Sequence, residues 1–505
     1  MPADAVPLEA LPELSRARVQ WLGLALGCAT GVDFVATSML ATGTLHIRAG
    51  IYATPDDFLW CLTAYAGAAI VANLLTRRLA DDLSYRGFTL LGLVIAFVGC
   101  LLCAASSNVA ELSAALAVQG LGAGGLFSAS RVLIQLIATP AERPRLLTGF
   151  VIGTIGLPAI APWLTATLML DTGWRMIFLV QALLAALTAL FVFCVYPHRA
   201  RPPRTPDLDD VAGMDWLTVL LVGAGALVLV HGLASLRLYA TGDSLRVAAA
   251  PLAGLVVVVL AFIRLHRAPD AWLSPRRLNG RRYFTGLAYY SIFACLSGLW
   301  TFTVSNVMQL GLGFTFETTG MVLTLSALGG LVAGVAFMLM GSRLPGARRY
   351  LALGYGMTAA AAWLFATRLS DGLPVSAVLP ALLLQSVALP FTLILVAKLT
   401  FMETSLEDFP HAYQFKNILR QVALMGGTGL AGQWLQAGEA VARTHLIGRV
   451  TPYGLPAPLD ATALATLSQL IDQQAVLVAS ANMLAVVAVI CLGIAAVAIW
   501  QRALR

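Results

Sequence analysis

The 505 residues are 59% hydrophobic and only 11% charged, with a formal net charge of +7 and a mean hydropathy of +0.82. Soluble globular chains run at about 45–50% apolar and about 25% charged, so a water-soluble fold would lack the charges to cover its surface, and lipid must be the main solvent. The positive charge does not point to nucleic acid, because the basic residues stand in short clusters between apolar runs and not in one patch.

The chain starts Met1-Pro-Ala-Asp4-Ala-Val-Pro7, without the basic stretch of a signal peptide, so residues 1–19 are expected to form a cytoplasmic tail and the first apolar run to be retained. A span needs about 20 mostly apolar residues. The pattern predicts an all-α polytopic membrane protein with fourteen spans, near 20–42, 58–76, 87–106, 110–133, 147–169, 175–196, 216–235, 247–265, 284–308, 318–341, 350–367, 377–400, 413–436 and 475–500. An even count puts both termini on one side. With that side inside, the inner loops and tails hold about 21 basic residues, among them Arg77, Arg78, Arg86, Arg143, Arg145, Arg281 and Arg282, against about seven outside. This excess orients the chain with both ends in the cytoplasm.

Two stretches read as loops: the inner segment 198–215, rich in Pro, Arg and Asp, and a long external loop at 437–473 carrying Pro452, Pro456 and Pro458. The seven cysteines all fall inside apolar runs, so neither a disulfide framework nor a metal site is indicated, and no cofactor is expected. An internal repeat supports two bundles. The turn Arg77–Arg86 before Gly87 has a counterpart at Ser342–Arg349 before Tyr350. Gln119 corresponds to Gln385, and Arg131 to Lys398. The partition is 20–197 for the first bundle, 198–267 for a linker and two inserted helices, and 268–505 for the second bundle.

Trp60-Cys-Leu-Thr63-Ala-Tyr65, Gln119-Gly-Leu-Gly122-Ala-Gly124, Gly173-Trp174-Arg175-Met-Ile-Phe178, Asp215-Trp216 and Asn417-Ile-Leu-Arg420 resemble, in order, motifs of the fourteen-span drug:proton antiporters of the EmrB/QacA type within the major facilitator superfamily. Asp33 sits where that family places an acid in its first span. The resemblance covers the whole chain and implies a major facilitator fold. It further implies alternating access, proton-coupled efflux of amphipathic or cationic small molecules, and a bacterial inner-membrane location. Proteins of this type often work with a periplasmic adaptor. Three departures stand out. In the loop after the second span, Arg77 replaces the first Gly, Asp82 the following Arg, and Ser84 the second Gly. Leu116 stands where the fourth span has an Arg that the family links to proton coupling. The fifth span reads Ala161-Pro162-Trp-Leu-Thr165-Ala166 in place of G-P-x-x-G-G.

An ionisable residue at the centre of a span is penalised by about 2.5–3.5 kcal/mol on insertion scales, so it marks a cavity or a partner. Asp33 lies about thirteen residues, or roughly 20 Å, into the first span. It is the proton-coupling candidate, a carboxyl that takes and releases a proton as the cavity changes sides; an inert, hydrogen-bonded Asp is the plainer reading. Arg131 is expected either to latch onto Asp81 or Asp82 or simply to snorkel. Arg420 and Asn417 are gate candidates by the resemblance. Gln119, Gln385, Asn306, Gln309 and Trp300 are cavity candidates that could equally bridge or pack helices. Tyr289, Tyr290, Phe293 and Phe302 share the span of Trp300. Gly153, Gly156, Pro158 and Pro162 suit a bent hinge helix. His231 lies in the seventh span, expected to be peripheral. No GxxxxGK[ST] loop occurs, which argues against an ATPase, and no enzyme-like cluster is found. The rival functions are export of a single endogenous metabolite, such as a siderophore or a peptide, and a non-transporting receptor or scaffold.

Overall fold

The computed structural model describes residues 16–137, 139, 142–197, 215–238, 244–267, 280–340, 347–394, 396, 400–401, 404–405, 408–450 and 461–501. The regular elements there are helical. They are α1 (Arg16–Gly50), α2 (Pro55–Ala105), α3 (Val109–Ala123), α4 (Leu126–Ile137), α5 (Arg143–Thr172), α6 (Arg175–Val195), α7 (Trp216–Ala234), α8 (Ser244–Arg267), α9 (Arg281–Asn306), α10 (Phe316–Met340), α11 (Ala347–Arg368), α12 (Val375–Leu389), α13 (Phe409–Ile447) and α14 (Ala461–Trp500). Lys398, most of the expected inner loop 198–215 and Pro452, Pro456 and Pro458 lie outside the described residues.

Among the described residues eleven helices are long and apolar enough to cross a membrane, against fourteen expected spans. The difference has physical causes. α2 covers two expected spans: it breaks at Ser84, whose backbone is at φ 71°, ψ 159°. Its two arms fold back around α3, since Gly120 approaches the Tyr65 backbone and Gly122 approaches Ala96. α11 and α13 are as long as their neighbours but more polar, and in α13 the polar groups turn out to carry the site.

Ser84 stands where the resembled loop motif has its second Gly. The reason for a Gly is plain in the backbone: this φ/ψ region is essentially restricted to residues without a Cβ. The Ser84 hydroxyl partly compensates by accepting the Gly87 N–H at 3.2 Å, which caps the second arm.

The expected external loop 437–473 is mostly helix. α13 continues to Ile447 and α14 begins at Ala461, and Arg443 Nε lies 3.0 Å from Asp472 Oδ1 between them. Ala- and Leu-rich turns extend both helices past their apolar runs.

α1–α6 pack mainly on one another, as do α9–α14; α5 meets α10, and α13 meets α2 and α4, across the seam between these halves. α7 and α8 form a hairpin tied by Arg264 Nε to Asp215 Oδ2 at 2.9 Å. The guanidinium and the Thr218 hydroxyl hold the Asp215 carboxyl down to about 2. α7 is not peripheral: it lies against α2 and α13 at the seam. His231 stacks on Trp60 at 3.7 Å, and its Nδ1 is 3.2 Å from the Thr63 hydroxyl. The Gly173-Trp174-Arg175 motif has a bracing role: Arg175 donates to the carbonyls of Ala104 and Ser106 at 3.1 and 3.0 Å.

Candidate functional site

The start of α13 reads Phe409-Pro-His411-Ala-Tyr413-Gln414-Phe-Lys416-Asn417-Ile-Leu-Arg420. Pro410 is tolerated in the first turn, where its missing N–H would be unpaired anyway. His411, Gln414, Asn417 and Arg420 recur every third residue, so they run along one ridge of the helix. All four reach the other half. Arg77 Nη1 donates to His411 Nε2. Gln414 Nε2 donates to the Leu74 carbonyl at 3.5 Å. Asn417 Nδ2 donates to Ser128 Oγ at 2.6 Å, and Ser128 Oγ donates to Asn73 Oδ1 at 2.6 Å. Arg420 Nη2 lies 3.5 Å from Asp33 Oδ2. The ridge is about 14 Å long at the helical rise.

Asp33 is 1% exposed. Its Oδ1 accepts the Tyr65 hydroxyl at 2.6 Å, so the last residue of the W-x-x-T-A-Y stretch orients the carboxylate toward Arg420. Arg420 also lies over the rings of Phe34 and Phe127, at 5.1 and 5.8 Å. A buried pair of this kind contributes little net stability over an apolar pair, yet losing one partner costs about 3–5 kcal/mol. Adding a proton to Asp33 has the same electrostatic effect as losing a partner.

Beside the ridge lies a cavity of about 1210 Å³ bounded by α1, α2, α4, α5, α9, α10 and α13. Phe127 meets Tyr413 across the seam at 5.6 Å, while Phe150 stacks on Phe127 at 6.2 Å within the first half and Phe401 packs on Phe409 at 5.2 Å within the second. Among the described residues its wall carries Arg48, Arg131, Arg143, Lys416 and Arg420 and no Asp or Glu. Lys416 is 1% exposed. Its Nζ lies 3.7 Å from the Tyr413 ring centre, 4.4 Å from Tyr290 and 4.7 Å from Phe127, and has no hydrogen-bond partner among the described residues.

The sequence candidates divide sharply. Asp33, Arg420 and Asn417 come together on the seam. The expected latch between Arg131 and Asp81 or Asp82, a contact made in one conformation and broken in the other, is not made in this one. Arg77 takes Asp81 and Arg78 takes Asp82, each at 3.9 Å one turn away, while Arg131 lies over Phe150 and Tyr413 at 5.6 and 5.8 Å. The cross-seam contact is made by Arg77, the residue that departs from the motif. Asn306 and Gln309 line the cavity, as do Tyr290, Phe293 and Phe302. Gln119, Gln385, Trp300 and Tyr289 do not. Gln119 donates to Gln181 Oε1 at 2.7 Å inside the first half, and Trp300 packs on Phe365 at 6.3 Å. In α5, Pro158 lines the cavity and the Pro162 carbonyl faces Gly320 of α10. Gly153 is pressed against Gly27 and Cys28 of α1, whereas a Cβ at Gly156 would make only an ordinary contact with a Leu331 methyl at 3.7 Å.

Sequence reasoning passed over Tyr65, Ser128, Asn73, His411, Gln414 and Lys416. The three-residue spacing of polar groups in α13 was the available signal for two of these. The partners on α2 and α4 gave none, because Ser and Asn inside apolar helices usually only bond their own backbone.

The comparisons agree with this architecture. An auto-inhibited peptide transporter of the POT family superimposes with a TM-score of 0.60 at 14% identity, covering 95% of this chain and 96% of that one. An uncharacterized transporter, YebQ of Escherichia coli K12, is 27% identical over 282 residues, 55% of this chain and 59% of its own length. The efflux pump FUS6 of Gibberella moniliformis is 26% identical over 308 residues, 59% of this chain and 53% of its own. The chain thus spans somewhat more than half the length of these curated relatives. The profile of the Major Facilitator Superfamily matches residues 23–428, and the chain belongs to that superfamily of multi-pass membrane transporters.

Proposed function

We propose that the chain is a fourteen-span secondary transporter, six spans plus two inserted plus six, that exports amphipathic small molecules by alternating access with proton entry through Asp33. The observation that carries this reading is the Asp33–Arg420 pair, which joins the two halves at mid-height on a ridge whose other contacts lie toward the start of α13. With Asp33 ionised, Arg420 is held and the seam stays zipped. A proton on Asp33 cancels the attraction, frees Arg420 and lets α13 part from α2 and α4. Loss of that proton to the other side resets the seam. Export is the direction named for one relative, the efflux pump FUS6. The excess of basic residues supports a cytoplasmic location for both ends, and a bacterial inner membrane is the location that the resemblance to fourteen-span antiporters implies.

The test is transport in everted vesicles with an imposed proton gradient, comparing the native chain with Asp33→Asn. Substrate flux is expected to fall when the gradient is collapsed and to lose its gradient dependence in the variant. Flux that survives both changes rules out proton coupling through Asp33. No flux for any compound favours a non-transporting receptor instead.

A further inference from the structure

We infer that the cavity takes amphipathic organic anions, the acidic head docking between Lys416 and Arg131 and the apolar body lying on Phe34, Phe150, Tyr290 and Phe293. This deepens the transport reading above and rests on it. Three basic side chains meet here. Lys416 and Arg420 are one turn apart on α13, where like charges repel. Arg131 and Lys416 bear on the same Tyr413 ring. Among the described residues the acid beside them, Asp33, is engaged by Arg420 and Tyr65 and does not line the cavity. Lys416 is held by three aromatic faces, which attract a cation through their quadrupoles but supply no lone pairs for its three N–H groups. Lys416 lines the cavity, and its buried Nζ has no hydrogen-bond partner among the described residues. An acidic head would complete those hydrogen bonds and relieve the repulsion at once. A cationic compound meets the opposite situation: the aromatic cage it would use is already filled by Lys416, and no carboxylate on the described wall awaits it.

The test uses three probes with one aromatic body: pyrenebutyrate, pyrenebutanol and pyrenebutylammonium. Binding to the purified full chain in lipid nanodiscs is read by pyrene fluorescence. The carboxylate is expected to bind at least about ten-fold tighter than the ammonium, the difference one charged hydrogen bond makes. Lys416→Met should weaken the carboxylate about ten-fold and leave the alcohol nearly unchanged, while Lys416→Arg should retain the preference. Arg131→Gln, at a half-buried position, repeats the test should Lys416→Met fail to fold. Equal or tighter binding of the ammonium overturns the inference, as does an equal loss for carboxylate and alcohol. The two readings fail separately. Anion-selective binding without flux of any probe sinks transport and leaves the anion site; flux of the ammonium but not the carboxylate does the reverse.

Discussion

Arg420 of α13 and Asp33 of α1 lie 3.5 Å apart across the seam between the two halves, with the carboxylate turned toward the guanidinium by the Tyr65 hydroxyl. Asp33 is almost wholly buried, so either charge alone is poorly solvated. Asp33→Asn and Arg420→Gln are each expected to destabilise the folded protein by about 3–5 kcal/mol. The double variant should lose distinctly less than the sum, because neither charge is then left unpaired. Unfolding in detergent measures all four corners of the cycle. Simple additivity would mean that the two residues do not act as a pair.

The contact of Arg77 with His411 predicts a shift in which side is open. Arg77→Ala removes the rung nearest the start of α13 and leaves Asn417–Ser128 intact. The cavity wall at Gln135 should then open toward the cytoplasmic side. In a chain with Cys194 replaced by Ser, a Gln135→Cys probe in everted vesicles should react with an impermeant maleimide several-fold faster when Arg77→Ala is added. Unchanged labelling would show that this rung does not hold the seam.

Much of this arrangement was legible along the chain, and the rest was hidden for a physical reason. Length and apolarity mark helices, and a charge inside an apolar run marks itself, so Asp33 and Arg420 stood out singly. Their pairing did not, since they belong to opposite halves and nothing local records the contact. Arg131 next to an acidic turn suggested a latch, but Arg77 and Arg78 are already one turn from Asp81 and Asp82, and the local pairs formed first claim on those carboxylates. Gln119 and Gln309 look alike in sequence. One is enclosed by Cys100, Cys103 and Gln181 and the other faces the cavity, because helices packed on several sides show no single apolar stripe.

The difference between those two glutamines yields its own expectation. Gln119→Leu removes the donor to Gln181 Oε1 and leaves that buried oxygen short of a bond, a loss of about 1–3 kcal/mol. Transport affinity should stay the same in the molecules that fold. Gln309→Ala should do the converse, altering the apparent KM with little change in thermal stability. Flux and unfolding measured on both variants decide the matter. An affinity change from Gln119→Leu would return that residue to the cavity.

At the break in α2 a Ser occupies a backbone conformation suited to Gly, with φ 71°. Ser84→Gly relieves strain of order 1–3 kcal/mol. It gives up the Gly87 cap, a loss of only a few tenths when Gly is the replacement. A net gain of about 1 kcal/mol is expected, read as a raised unfolding temperature. Ser84→Ala keeps the strain and loses the cap, so it should fall below the native chain. If Gly and Ala destabilise alike, the hydroxyl matters more than the backbone.

Two glycines one turn apart in α5 separate packing from motion. A Cβ at Gly153 would come within 2.6 Å of the α1 backbone at Gly27 and Cys28, where nothing can move aside. Gly153→Ala should therefore destabilise by about 1–3 kcal/mol, through the α1–α5 contact inside one half. At Gly156 the nearest atom would be a Leu331 side-chain methyl at 3.7 Å. Packing does not require glycine there, and Ala in a helix interior is favoured by about 0.5–1 kcal/mol. Gly156→Ala should therefore be as stable as the native chain or more so. What it removes is backbone freedom just before Pro158, which lies inside α5, lines the cavity and lacks the N–H for a helical hydrogen bond. If α5 flexes there during the cycle, Gly156→Ala will slow turnover while leaving substrate affinity and stability intact. Native turnover in Gly156→Ala would make α5 a rigid helix and place the moving joint elsewhere.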